Sequence, residues 1–158
     1  MRELDRIDCE ILEALQKNAR LPNKELARRV GVAPSTCLQR VRRLYEDNVL
    51  RGFHAELDPA SVGVVIQAMV AVRLNRHSLD LVETFREHVL GLREVVSLYH
   101  TAGANDFLVH VAVRSSDHLR NLVLASFTTR PEVAHVETSL IFERVLSDEL
   151  PIYGGVEE

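Results

Sequence analysis

The sequence predicts an α+β fold in two parts: an N-terminal helix-turn-helix domain of winged-helix-like type, followed by a ferredoxin-like βαββαβ domain. Apolar residues recur at helical spacing in three segments before residue 47, and runs of β-branched residues alternate with helical patterns from residue 64 onward. Residues 49–57 look extended and lead into an Asp-Pro turn. We therefore expect a helix-turn-helix domain over 1–50, a hinge strand and linker over 51–63, and a ferredoxin-like domain over 64–158.

The first three segments predict a leading helix followed by two short helices, which a tight turn connects. The leading helix covers about residues 4–17, with Asp5 near the positive end of its dipole. Gly31 ends the second helix, because glycine tolerates the left-handed backbone that a helix C-terminus often needs. Pro34 opens the third helix. The buried face of that helix is formed by Cys37, Val41 and Leu44.

The opposite face of the third helix is polar and basic, which predicts double-stranded DNA as a partner. Arg40 and Arg43 lead the candidates, because arginine can bond two atoms of a guanine edge or hold a phosphate. A surface ion pair with Glu46 or Asp47 is the alternative for each arginine. Gln39 could read adenine through its amide. Candidate phosphate contacts are Ser35 and Thr36 at the helix start and the flanking Arg28, Arg29 and Arg51.

Four less polar positions in this domain have expectations of their own. Ala33 stands before Pro34 without a side-chain oxygen to cap the helix, a loss of about 1 kcal/mol. Leu38 either contacts a thymine methyl group or packs beside the first helix, and we favour packing. Cys9 and Cys37 lie on apolar helix faces, so we expect two small core residues rather than a redox pair.

The charge of the chain is divided unevenly along its length. The net charge is −4, yet residues 17–51 hold nine basic and three acidic residues, whereas residues 61–158 hold eight arginines and thirteen acidic residues. Only the front half is therefore expected to meet phosphate. The sequence contains no apolar run of membrane-spanning length and no signal-peptide core. We expect a cytoplasmic, nucleoid-associated protein with no membrane partner.

The second half predicts the order strand, helix, strand, strand, helix, strand. One sheet face should be covered by the two helices, and apolar residues on the other face indicate an interaction surface, most simply a homodimer. Those residues are Val65, Met69, Ala71 and Ile141. The predicted strands are 64–74, 95–102, 107–113 and 133–146, with Ser78 capping the first helix and Ser115 or Ser116 the second.

Residues 4–63, followed by a βαββαβ domain containing TAGANDFLVHV, resemble the Lrp/AsnC family of prokaryotic transcription regulators. The resemblance covers essentially the whole chain. It implies a homodimer that assembles into tetramers or octamers, and an amino acid or related metabolite that changes assembly and DNA affinity. It implies no cofactor besides that effector. Its most specific motifs are Leu4-Asp5 with Asp8 and Ile11-Leu12, Val30-Gly31-Val32, Arg40-Val41-Arg42-Arg43-Leu44 and Leu57-Asp58-Pro59.

The turn at residues 103–106 is the candidate effector site. Gly103 allows close backbone approach, and Asp106 could pair with the α-ammonium group of an amino acid. A plain hairpin turn explains the same residues through their local preferences. The resemblance implies contacts from Thr101, Gly103, Asn105 and Asp106, with Glu137, Thr138 and Ser139 on the last strand as weaker candidates in a neighbouring subunit.

Three functions are compatible with the residues alone. The first is a DNA-binding regulator gated by an amino acid, and the second is a nucleoid-like architectural protein that binds DNA without a ligand. The third is an enzyme, but the sequence shows no Ser/Cys–His pair, phosphate loop or metal cluster, so we expect no catalytic or metal site. His100 and His110 lie on adjacent predicted strands and could approach each other, although a core or interface role is the simpler interpretation.

Overall fold

The computed structural model describes residues 3–76, 78–147 and 149–154, which fall into two compact units. The second unit spans Glu56–Arg144, and the first contains the described residues before and after it. Among the described residues, no helix is long and apolar enough to cross a membrane.

The first unit is built on three helices: α1 (Arg6–Lys17), α2 (Asn23–Arg29) and α3 (Pro34–Glu46). Their apolar stripes meet in one core, as the helical spacing predicts. Both cysteines are buried free thiols, and Cys37 belongs to this core, which confirms the expectation of small buried residues. Burial raises the pKa of each thiol. The buried core residues include Ile11, Leu12, Leu15, Leu26, Ala27, Val30, Cys37 and Leu44.

The turn between α2 and α3 depends on one glycine. Gly31 has φ +70°, the left-handed conformation that the sequence predicted for it. The Val32 N–H donates to the carbonyl of Ala27 at 3.0 Å, which closes the helix end in a Schellman motif. Ala33 caps α3 with no side-chain hydrogen bond, and Pro34 occupies the first turn. The predicted absence of a cap is therefore confirmed.

The strand expected over residues 49–57 does not form. Instead, Asn48 takes a left-handed conformation (φ 56°), and the N–H groups of Val49 and Leu50 both donate to the carbonyl of Leu44. The apolar side chains of Val49 and Leu50 pack against the first core. These residues close the end of α3. The apolar run that suggested a strand is apolar because its side chains pack at this helix terminus.

The C-terminal segment from Val145 on belongs to the first unit, not to the domain that the sequence assigned over 64–158. Ile152 packs against the core of the three helices. The Gln16 amide binds the backbone of Leu150 twice, donating at 3.2 Å and accepting at 2.6 Å, and the Cys9 thiol donates to the Gly154 carbonyl at 3.0 Å. Sequence pattern did not indicate these contacts, because they join residues more than 130 positions apart.

The second unit is a four-stranded antiparallel sheet with two helices on one face. Counted along the chain, its strands lie side by side in the order second, third, first, fourth, which is the predicted ferredoxin-like arrangement. Ser78 and Ser115 cap the helices, each accepting a backbone N–H three residues ahead. The elements are β1 (Ile66–Leu74), α4 (Leu79–Leu90), β2 (Val95–His100), β3 (Phe107–Val113), α5 (Ser116–Val123), a π-helical turn (Leu124–Thr128) and β4 (Val133–Ile141).

The two faces of the sheet differ in burial. On the helix-covered face lie Ala68, Val70 and Val72 of β1, packed with Phe85, Phe107 and Phe127 in the second core. The other face carries Met69 and Ala71, whose partners on β4 are Ser139 and Glu137, and these two β1 residues are only partly buried. Gln67 pairs with Ile141 on this outer face, where the sequence also placed Ile141.

Candidate nucleic-acid interface and effector site

The exposed face of α3 carries most of the predicted DNA contacts. Ser35, Gln39 and Arg43 recur every four residues, so they form one stripe along the helix, and all three are exposed. Thr36 is exposed beside them in the first turn. None of these side chains forms a hydrogen bond or ion pair with another residue that the structure describes. The helix therefore presents donors and acceptors that are ready to meet a ligand.

The flanking basic residues are also exposed. Arg28 and Arg29 stand in the last turn of α2, and Arg51 lies beyond the end of α3. Leu38 is 52% exposed on α3, so the expectation that it packs beside the first helix is wrong. An apolar side chain on the same helix as the polar stripe can contact a thymine methyl group, which was the other interpretation.

Arg40 does not lie with the stripe. Its Nη1 donates to Oδ2 of Asp5 and to Oδ1 of Asp8, each at 2.7 Å, and its side chain is 23% exposed. Asp8 is fully buried at the start of α1. The guanidinium thus ties α3 to the first turn of α1, and neither Glu46 nor Asp47 is its partner. Because its guanidinium is bonded within the domain, Arg40 is not among the proposed DNA contacts.

Charge interactions stabilise the cluster that Arg40 forms with Asp5 and Asp8. The N–H of Asp8 and the guanidinium of Arg40 lower the pKa of Asp5, while the hydrogen bonds that Arg40 donates to Asp5 and Asp8 raise the pKa of Arg40. Asp5 and Asp8 are three residues apart, so they share one side of the first helical turn. That spacing of two acids is visible in the sequence, but the packing of α1 against α3 is needed to identify Arg40 as their partner.

Hydrogen bonds within the turn and to β1 stabilise the turn between β2 and β3. Thr101 donates through its N–H to the Asp106 carbonyl and through its hydroxyl to the Asn105 carbonyl, both at 2.8 Å. The Asp106 N–H donates to Val72 on β1 at 2.9 Å. Gly103, at φ +146°, is exposed, and a Cβ built there would meet no atom within 4 Å. The backbone around Gly103 is therefore the open part of this turn.

The carboxylate of Asp106 has a structural role. It accepts the Leu74 N–H at 2.7 Å and is 6% exposed. The pairing register between β1 and β4 shifts between Arg73 and Leu74, and such a bulge leaves a residue out of the ladder. Asp106 thus receives a backbone N–H at the bulge. This carboxylate contact reaches another strand, so it follows neither from local turn preferences nor from an ammonium ligand.

The three candidates on β4 do not contact the turn within one chain. Glu137 and Ser139 pair with Ala71 and Met69 of β1 and project on the outer sheet face, whereas Thr138 pairs with Val70 on the helix-covered side. All three are exposed. Their contact with the turn of a neighbouring copy stays a prediction.

His100 and His110 do not come together. His100 pairs with Phe107 and stacks on its ring with centroids 4.8 Å apart, whereas His110 pairs with Ser97 on the other face of the sheet. His110 is buried and its Nε2 lies 2.9 Å from Gln67 Oε1; burial and Arg144 lower its pKa. Within the part of the chain that the structure describes, no group of three His, Cys, Asp or Glu side chains could hold a metal ion.

A three-helix unit with an exposed polar helix, joined to a ferredoxin-like unit, defines a helix-turn-helix DNA-binding protein with an appended regulatory domain. Comparison with known families agrees in both parts. The AsnC-type helix-turn-helix domain matches residues 4–45, and the Lrp/AsnC ligand-binding domain matches residues 67–151.

Individual relatives align along nearly the whole chain. The HTH-type transcriptional regulator AldR of Mycolicibacterium smegmatis is 45% identical over 91% of this chain and 84% of its own length. The leucine-responsive regulatory protein of Escherichia coli is 35% identical, over 91% and 88% respectively. A transcriptional regulator of Neisseria meningitidis, solved in complex with L-methionine, superposes with a TM-score of 0.82 at 31% identity, covering 91% of this chain and 93% of that one.

The chain belongs to the Lrp/AsnC family. It is a DNA-binding transcriptional regulator with a ligand-binding domain, and its relatives are regulators rather than enzymes.

Proposed function

We propose that this protein binds specific DNA sequences and that an amino acid or related small metabolite changes its assembly and DNA affinity. The observation that carries the DNA-reading part is the exposed stripe of Ser35, Gln39 and Arg43, whose side chains bind no other described residue. Since no intradomain contact has to break first, these groups can bond directly to base edges and phosphates.

Each residue on this surface has a role in the proposal. Arg43 reads guanine or holds a phosphate, Gln39 reads adenine, and Leu38 contacts a thymine methyl group. Hydroxyl groups at the start of α3 hold phosphate beside the helix N-terminus. The phosphate contacts are Ser35 and Thr36 on α3 and Arg28, Arg29 and Arg51 around it.

The effector is proposed to bind at the 101–106 turn. The match of residues 67–151 to a ligand-binding domain supports this, as does the similarity to a regulator solved with L-methionine. The open backbone around Gly103 and the side chain of Asn105 would meet the amino acid from one copy. A neighbouring copy would add contacts from Glu137, Thr138 and Ser139, which a single chain does not bring to the turn.

Assembly is part of the same proposal. Met69 and Ala71 are partly buried on the sheet face opposite α4 and α5, and a second copy would bury them further. A dimer formed there presents two copies of α3 to two half-sites on DNA, and further assembly gives tetramers or octamers. Such a regulator works on chromosomal DNA, so the proposal places it in the cytoplasm with the nucleoid.

The experiment is binding to the DNA upstream of the protein's own gene, with and without each common amino acid, at one fixed salt concentration because phosphate contacts make affinity salt-dependent. Sedimentation of the same samples reports assembly. Specific binding that shifts with one amino acid is the expected result. The engaged Asp106 and Thr101 favour the alternative of a ligand-independent architectural protein, for which no amino acid would change either readout.

A further inference from the structure

A cavity of about 390 Å³ opens in the second unit, away from the proposed effector turn. It is formed by the segment before β1, the start of β2, the end of β3 and the first turn of α5. The turn at residues 101–106 joins the other ends of β2 and β3, so the length of β3 separates the two places by roughly 20 Å. The residues that matter for its chemistry are Gly63, Arg93, Glu94, Val96, Arg114 and His118.

Two cations at this cavity have no counterion. Arg93 and Arg114 are exposed, and neither forms an ion pair with another residue that the structure describes. Glu94, the acidic residue of the lining, is engaged instead by His118, with Nε2 and Oε1 3.0 Å apart. Two guanidinium groups beside a concave surface, with the nearby carboxylate already bonded, form a site that favours a negative ligand.

The rest of the lining suits an organic molecule better than a bare ion. Valine side chains, among them Val62, Val64 and Val96, form part of the wall. The ring Nδ1 of His118 is buried and has no hydrogen-bond partner among the described residues. Buried polar atoms without partners are uncommon, which sets this wall apart from an ordinary packed core. The volume lies in the range of small-molecule sites in proteins.

We propose that this cavity is a second small-molecule site, which binds an organic anion through carboxylate or phosphate oxygens. Arg93 and Arg114 hold the oxyanion, since a guanidinium can donate two parallel hydrogen bonds to such a group. The valines contact the apolar part of the ligand. The site is independent of the proposed amino-acid effector site, and each can exist without the other.

The test is calorimetric titration of the full chain in chloride buffer with two probes, inorganic phosphate and succinate, which separate phosphate from carboxylate ligands. We expect saturable binding of at least one probe. The double variant Arg93→Gln/Arg114→Gln should weaken that binding by at least about ten-fold, because a hydrogen bond to a charged group contributes more than one decade of affinity. The matched control is Arg120→Gln, an exposed arginine of α5 outside the lining, which should bind as the parent does.

Amide chemical shifts of the labelled protein locate the binding. On addition of the probe that binds, the amides of Gly63, Ala112 and His118 should move, and those of residues 101–106 should not. Saturable binding of neither probe, shifts confined to the 101–106 turn, or unweakened binding by the double variant would each overturn the proposal. Thermal unfolding should show that the double variant is folded, and the single variant Arg114→Gln repeats the test with a smaller change.

The amino-acid response of DNA binding, measured in the double variant, keeps the two proposals apart. Retention of that response with loss of anion binding supports two separate sites. Loss of both together would show that the anion and the amino acid use one site, which contradicts this inference and leaves the proposed regulator intact.

Discussion

The exposed stripe of α3 and the 101–106 turn differ in whether their polar side chains form hydrogen bonds within the chain. On α3, Gln39 and Arg43 bond to no other described residue. In the turn, Thr101 bonds to the turn itself and Asp106 bonds to β1. A single chain thus leaves the proposed DNA contacts of α3 unbonded, whereas its proposed effector turn offers mainly the backbone around Gly103.

This difference indicates which site depends on assembly. A helix that already exposes its donors and acceptors needs only correct placement on the duplex. A turn whose side chains are satisfied internally gains a ligand-binding surface when a neighbour supplies further groups, and Glu137 and Ser139 are exposed where a neighbour can reach them. The coupling of effector to assembly in our proposal follows from that incomplete site.

Arg40→Ala gives the largest expected effect, because Arg40 belongs to α3 but not to its free stripe. Removal of the guanidinium breaks its ion pair with the fully buried carboxylate of Asp8, which destabilises the first unit by about 3–5 kcal/mol. Amide hydrogen exchange in α1 and α3 should accelerate by roughly two to three decades or more. Urea unfolding followed by helical circular dichroism checks the same change.

The control for Arg40 is its exposed neighbour Arg42, whose replacement by alanine should change stability by less than about 0.5 kcal/mol. The double variant Arg40→Ala/Asp8→Ala should be less destabilised than the sum of its single variants, since both changes break the same ion pair. Unchanged stability of Arg40→Ala together with weakened operator binding would return Arg40 to the DNA-reading surface.

Asp106→Ala should have the next largest effect. It leaves the buried Leu74 N–H at the bulge without its acceptor, a loss of about 1–3 kcal/mol of stability. Asp106→Asn keeps an amide oxygen at that position and should retain most of the stability. Denaturant unfolding of both variants makes the measurement. A stable Asp106→Ala protein whose DNA binding no longer responds to any amino acid would assign the carboxylate to the effector instead.

Ala33→Ser should have the smallest effect, and in the stabilising direction. Ala33 already has the extended backbone (φ −65°, ψ 145°) of a helix N-cap, so a serine hydroxyl there can accept a free N–H of the first turn. We expect a gain of about 1 kcal/mol, measured by thermal unfolding. Ala33→Val has no such acceptor and serves as the control; equal stability of the two variants would mean that α3 is capped by other means.

Sequence pattern predicted the elements whose causes are local. The apolar spacing located α1 to α3 and the four strands of the second unit, and Gly31 marked the helix end. Ser78 was identified as one cap and either Ser115 or Ser116 as the other, and the structure selects Ser115. In each case a few neighbouring residues determine the conformation, so periodicity and turn chemistry suffice.

The features that the sequence did not reveal depend on contacts between distant residues. Arg40 meets carboxylates more than 30 positions earlier, and Gln16 meets a segment more than 130 positions later. The cavity beside Arg93 and Arg114 exists only because the ends of two strands and a helix converge. Local pattern placed Arg40 on a basic helix face, but its partner could be found only from the packing of α1 against α3.

The most direct test of this account is the affinity of Arg43→Ala for the DNA upstream of the protein's own gene, compared with an unrelated duplex at the same salt. A bidentate contact to a base contributes about 1–3 kcal/mol, so we predict roughly five-fold to more than hundred-fold weaker specific binding with unchanged stability. Arg120→Ala, on the other unit, should bind as the parent does. Unchanged operator affinity of Arg43→Ala would contradict the claim that the free stripe of α3 reads DNA.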